Sequence, residues 1–179
     1  DTLSHGAAIS ACGRLAEWRQ ALGLLEQMPR AGVEPDIFGY GAAISACEMV
    51  AQWRLARRLL AEMPDVRLGA DIISYNTAIS ACEKVAQWRS ALGLLAGMPT
   101  FGLHPSTISY NTAMSACDKA QHWHVVLWLL AEMPGVGLDP DTLSYSAAVS
   151  ASEKGRQGHL APMLLAEMDS TRLHAGAAL

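Results

Sequence analysis

One interval governs this chain of 179 residues. Cys12, Cys47, Cys82 and Cys117 stand 35 residues apart, and Ser152 takes the next step. Trp18, Trp53, Trp88 and Trp123 keep the interval, as do Met28, Met63, Met98, Met133 and Met168. Tyr40, Tyr75, Tyr110 and Tyr145 keep it too, with His5 in the first slot. Residue types in phase over so long a stretch, without a gap, mark an internal repeat, and a repeat decides the fold before anything else does.

One copy shows what the repeat builds. Tyr75, Ala78, Ile79, Cys82 and Val85 fall at the spacing of one helical face. Trp88, Ala91, Leu92, Leu95 and Met98 repeat that pattern. The short link from Glu83 to Gln87 forces the two helices antiparallel. Pro99 ends the second helix near Met98, and Gly102 and Pro105 punctuate the loop onward. A lone hairpin buries its apolar faces poorly, whereas a stack buries a continuous core. The expected fold is therefore all-α: an α-solenoid of five 35-residue antiparallel helix-turn-helix repeats, with units at 2–36, 37–71, 72–106, 107–141 and 142–176. The fifth is degenerate. Gly158 replaces its tryptophan, and Pro162 should delay its second helix until about Leu160 to Pro162. Arg172 to Leu179 is expected to be a frayed tail. Asp1 aligns with Asp36, Asp71 and Asp141, so the array is read as a window cut from a longer one.

The repeat also explains the cysteines. Equivalent helices of neighbouring repeats lie ~9–10 Å apart, while a disulfide needs Cα atoms within about 7 Å. There is no Cys-x-x-Cys pair to seed a metal site, and Ser152 replaces the fifth cysteine alone. The thiols read as reduced core residues. Cys117, His122 and His124 stand close in sequence, but the histidines replace Gln87 and Arg89 of the third copy, which are variable positions. The tryptophans are expected to fill the core between repeats. No phosphate-binding loop, His-Glu-x-x-His run or nucleophile elbow occurs. The carboxylates recur with the repeat and do not converge. No catalytic residue, metal, cofactor or small-molecule substrate is expected, and the chain is not read as an enzyme. No run of about 18 apolar residues suggests a membrane span. A net charge of −4 does not favour an indiscriminate nucleic-acid binder.

The run Ile73-Ser74-Tyr75-Asn76-Thr77-Ala78-Ile79-Ser80-Ala81-Cys82-Glu83-Lys84 is closely similar to the first helix of the pentatricopeptide repeat family. Ala91 to Met98, followed by Gly102-Leu103-His104-Pro105, resembles the rest of its motif. The resemblance covers residues 1 to 176. The tryptophan opening the second helix and the proline after the methionine depart from the family pattern.

That resemblance implies a right-handed superhelix that binds single-stranded RNA, roughly one base per repeat. It implies base reading by the fifth and last residues of each unit: Gly6 and Asp36, Gly41 and Asp71, Asn76 and Ser106, Asn111 and Asp141, and Ser146, whose unit ends in Gly176. It implies apolar base wedges at Leu3, Phe38, Ile73, Ile108 and Leu143. Phosphate contacts would come from Arg14, Lys84, Lys119 and Lys154, interrupted by Met49. An Asn amide offers donor and acceptor, and Gly offers neither. Asn76 with Ser106 thus resembles a cytosine reader and Asn111 with Asp141 a uracil reader. Asp36 and Asp71 lean to a keto base. The same polar residues also suit helix starts, and the lysines suit helix ends. Glu48, Glu83, Asp118 and Glu153 weaken phosphate attraction, so affinity should be modest and fall with salt. The resemblance places such a protein inside the cell, in the mitochondrion or chloroplast, acting in RNA processing, editing, stability or translation. Two alternatives stand beside it: a protein–protein scaffold, and the RNA-binding part of a larger processing enzyme.

Overall fold

The computed structural model describes residues 2–14, 17–64 and 68–168. Within them the chain is a succession of helical hairpins. Five first helices, α1 (Thr2–Arg14), α3 (Ile37–Met49), α5 (Ile72–Glu83), α7 (Thr107–Lys119) and α9 (Thr142–Lys154), begin 35 residues apart. Each is followed by a second helix: α2 (Trp18–Gln27), α4 (Trp53–Glu62), α6 (Trp88–Gly97), α8 (Trp123–Glu132) and α10 (161–168).

The hairpin turn is built by backbone alone. The carbonyls of Cys47, Cys82 and Cys117 accept from the N–H of Gln52, Gln87 and His122 at 2.8–2.9 Å. This closure puts Ala51, Ala86, Gln121 and Arg156 at φ of 54–61°, the left-handed region. Val85 therefore leaves the helical face expected for it, and α5 stops at Glu83. The second helices stop one residue short of Met28, Met63, Met98 and Met133. A 3₁₀ turn over Met98–Phe101 follows α6 and ends at Gly102 with φ 72°, where a side chain would be strained. Pro162 lies in the first turn of α10, after a 3₁₀ turn over Gly158–Leu160, where its missing N–H costs nothing.

The same residues fill the same places in each layer. Tyr40, Tyr75, Tyr110 and Tyr145 are buried, as are Met28, Met63, Met98 and Met133 and Ala43, Ala78, Ala113 and Ala148. Cys47, Cys82 and Cys117 are free and fully buried, and burial pushes their thiols up to about 11, 11 and 12. The tryptophans are half-buried against the core. Arg19, Arg54 and Arg89 lie over the rings of Trp18, Trp53 and Trp88 at 4.5–4.8 Å.

Consecutive first helices pack on one another along the whole array, α1 on α3, α3 on α5, α5 on α7 and α7 on α9. The second helices α2, α4, α6 and α8 each pack on their own first helix and on the next one. Successive second helices make no comparable contact. One row is thus drawn together and the other splayed, so the array curves with the first helices inside. No described helix is long and apolar enough to cross a membrane.

Candidate nucleic-acid interface

Phe38, Ile73, Ile108 and Leu143 are exposed by 66–78% although apolar. They share one register, each the second residue of its helix. An exposed apolar residue is unremarkable singly, but a row of four in register marks a candidate interaction surface.

Between α7 and α9 the groove forms an open cleft of about 550 Å³. Ile108 and Leu143 form its apolar walls, with Asn111, Asp141 and Ser146 at its polar rim and Glu83 and Asp118 further along. Residues distant in sequence but expected to act on one base thus meet in one cleft.

Each last residue of a unit proves to be the N-cap of the next first helix. Asp36, Asp71 and Asp141 accept from the N–H of Gly39, Ser74 and Ser144 at 2.7–2.9 Å. Ser106 accepts more weakly from Ser109 at 3.4 Å. The fifth residues are tied to the same place. The Asn76 carbonyl accepts from Ser109 Oγ at 2.7 Å, and that of Asn111 from Ser144 Oγ at 2.7 Å. Asn111 Nδ2 donates to Asp141 Oδ1 at 3.0 Å. Partial burial raises the Asp141 carboxyl, but hydrogen bonds from Ser144, Asn111 and the Leu143 N–H outweigh it and hold the group below its ordinary value. A Cβ on Gly41 would stand 3.9 Å from Ser74 Oγ, so the serine is in place there and the amide is missing. At the first hairpin both are missing, since Gly6 faces a helix carrying Gly39. Leu3 and Arg14 belong to α1, but their side chains lie outside the described residues, as do Asp1 and Gly176.

The lysines form a ladder. Lys84 pairs with Glu48 at 2.7 Å, Lys119 with Glu83 at 2.5 Å and Lys154 with Asp118 at 2.5 Å. Each acid belongs to the preceding hairpin and also accepts from Ser80, Ser115 or Ser150. Where Met49 interrupts the lysines, Gly13 stands at the acid's place, so cation and partner are lost together.

Sequence reading missed two things. The third residue of α5, α7 and α9, Ser74, Ser109 or Ser144, borders the site. So does the ion pairing of each lysine one hairpin back. Both residue types recur every 35 positions, which was the available signal. The histidines read as variable positions have local work: the His122 ring lies tilted against Trp88 with centroids 4.2 Å apart, and His124 meets Trp123 edge-on at 5.9 Å. Among the described residues no three His, Cys, Asp or Glu side chains are grouped to hold a metal ion.

A model of the pentatricopeptide repeat domain matches residues 23–85 and 68–120, and a model of the single repeat matches 4–33. The chain belongs to the pentatricopeptide repeat family. No curated protein matches the sequence closely enough to count as a relative. Solved pentatricopeptide repeat structures share its fold. The repeat domain of Arabidopsis thaliana protein-only RNase P 1, solved in complex with tRNA, superposes with a TM-score of 0.77 at 14% identity, over 92% of this chain and 87% of that one. Maize PPR10 superposes at 0.83 with 20% identity, over 99% of this chain and 26% of its own. PPR10 with an 18-nucleotide psaJ RNA element gives 0.76 at 19% identity, over 96% and 25%. The chain thus spans about a quarter of PPR10.

Proposed function

We propose that this pentatricopeptide repeat array binds single-stranded RNA along the groove of its first helices, one base to each of the units 2–36, 37–71, 72–106, 107–141 and 142–176. The carrying observation is the α7–α9 cleft, where apolar walls Ile108 and Leu143 flank Asn111, Asp141 and Ser146. A base sandwiched between the walls would lose its water on both faces and turn its edge to the polar rim. Phe38 and Ile73 repeat the wall toward the start of the array, with Leu3 in the first unit.

The chemistry favours a base order, 5′ to 3′, of keto base, keto base, cytosine, uracil. Asn111 and Asp141 offer a donor and an acceptor side by side, which suits uracil O4 and N3–H. Asn76 beside Ser106 suits cytosine. Asp36 and Asp71 act without help from Gly6 and Gly41, and Ser146 faces no described last residue. Arg14, Lys84, Lys119 and Lys154 serve the phosphates. Two solved relatives by fold carry RNA, an 18-nucleotide element in one and tRNA in the other, which supports the same ligand class. The natural setting is RNA metabolism in a mitochondrion or chloroplast, either alone or joined to other protein parts.

The test is an unbiased selection from random RNA with this chain, with single-stranded DNA as control. Enrichment of the order above is expected. Equal affinity for an RNA with those bases permuted would refute base reading, and no enrichment at low salt would refute RNA binding.

A further inference from the structure

The outer row of helices carries a cavity of its own. Between α6 and α8 a pocket of about 520 Å³ opens to solvent, with Leu92, Leu95 and Val136 as apolar walls and Tyr110, Trp128 and Glu132 beside them. Trp128 is the one tryptophan outside the repeat interval, and it is 57% exposed. Trp128 and Glu132 stand four residues apart on α8, so both lie on one helical face. Burial raises the Tyr110 phenol, and the charge of Glu132 and a hydrogen bond to it raise it further, which sets the carboxylate against the phenol.

The same place is built differently in the earlier hairpins. Between α2 and α4, Arg58 stands at the position of Trp128 and Glu62 at that of Glu132. Arg58 Nε donates to Glu62 at 2.7 Å, and the cavity is about 190 Å³. Between α4 and α6 the two positions are Gly93 and Gly97, and Phe101 packs against Tyr75 with ring centroids 6.1 Å apart. In those two hairpins cation and acid are kept together or lost together. At α6–α8 the acid stays and an indole replaces the cation. Among the described residues no Lys, Arg or His forms an ion pair with Glu132, not even His104 of the same pocket, and no guanidinium lies over Trp128.

The chain itself shows which group satisfies both. A guanidinium meets the carboxylate at Arg58–Glu62, and guanidinium groups lie over Trp18, Trp53 and Trp88 at 4.5–4.8 Å. Arginine's planar, always charged head is suited to each contact. A phosphate would instead be repelled by Glu132. The apolar walls extend beyond what one guanidinium covers, and Val136 is 52% exposed, so neighbours of the incoming arginine are covered as well. We propose that the α6–α8 pocket docks an arginine side chain of a partner polypeptide, with the guanidinium against Glu132 and Trp128 and the flanking apolar residues on Leu92, Leu95 and Val136. This site faces away from the groove of the first helices and does not depend on the RNA reading.

The test is fluorescence anisotropy of a dye-labelled peptide, Gly-Leu-Ala-Arg-Ala-Leu-Gly, with the full chain, folding being checked by circular dichroism. Replacing its arginine by citrulline, which keeps the shape and removes the charge, should weaken binding about tenfold. Glu132→Gln, which keeps an oxygen for Tyr110, should weaken the arginine peptide by a similar factor and leave the citrulline peptide unmoved. Trp128→Arg should close the pocket from within, as Arg58 does with Glu62, and weaken the arginine peptide by at least about tenfold. If Glu132→Gln does not fold, Trp128→Arg carries the comparison. Acetyl-arginine amide should compete about tenfold more weakly than the peptide, because it leaves the apolar walls bare. Equal binding of the arginine and citrulline peptides would overturn the proposal, and so would full binding by Trp128→Arg. Acetyl-arginine amide as potent as the peptide would remove the polypeptide partner. Displacement of the peptide by oligouridine would assign the pocket to nucleic acid instead.

Discussion

At the scale of the residue, the cysteines are the clearest case of periodicity carrying chemistry. Cys47, Cys82 and Cys117 have no exposed surface, and burial raises their thiols to about 11 or 12. Neutral buried thiols are poor nucleophiles. Cys12 is half-exposed. Ellman's reagent at pH 8 should therefore titrate one thiol quickly in the native chain and the other three only on unfolding. Three fast thiols would refute the packing. The pH dependence has a definite sign. A folded-state value above the ordinary 9 stabilises fully below pH 9, where both states are neutral, and stability is lost as pH rises and the unfolded chain ionises. Denaturation midpoints should fall between pH 9 and 11, and replacing the three buried cysteines by alanine should flatten that fall.

At the scale of the element, much was legible because each helix carries its own signals. The 35-residue interval gave the hairpins, and the apolar spacing gave the buried faces. What was not legible lies between elements. Ser144 and Asn111 are 33 positions apart, and Lys119 and Glu83 are 36 apart. In a 35-residue repeat such partners are shadowed by equivalent residues in their own unit, so sequence spacing cannot say which pair meets. Only the packing of one first helix on the next decides it. Gly155 was hidden the same way. A Cβ there would stand 2.4 Å from Cδ1 of Trp123 in the preceding hairpin. The indole occupies the space a side chain would need. Gly155→Ala should therefore cost about 1–3 kcal/mol, the usual range for overpacking. In a Trp123→Ala background the same change should be close to neutral, because the cavity receives the methyl. A double-mutant cycle by urea denaturation measures this coupling. Equal cost in both backgrounds would show that Gly155 serves its turn and not the tryptophan.

At the scale of the whole molecule, the charge of −4 and an RNA ligand pull against each other, and the lysine ladder shows where the tension sits. Lys84, Lys119 and Lys154 are only about half-buried, and each meets a more buried acid of the hairpin before it. Pairs so exposed contribute little to stability, ~0–1 kcal/mol each. Their consequence for the proposed RNA binding is larger, because a lysine that met a phosphate would have to leave its carboxylate or share it. Replacing Glu48 and Glu83 by Gln and Asp118 by Asn removes three negative charges and keeps an oxygen for Ser80, Ser115 and Ser150. The triple variant should stay folded and bind RNA more tightly at low salt. Its plot of log affinity against log salt should steepen by about 2, since each neutralised phosphate on a single strand contributes ~0.7. Base preference should be unchanged, because the acids bond the lysines and Ser80, Ser115 and Ser150, while Asn76 and Asn111 bond the serines and Asp141 of the next helix start. A variant that gained affinity without a steeper salt slope would show that the acids obstruct the groove by some route other than charge. One that gained neither would remove the lysines from the phosphate path and leave the base-facing residues to supply the binding alone.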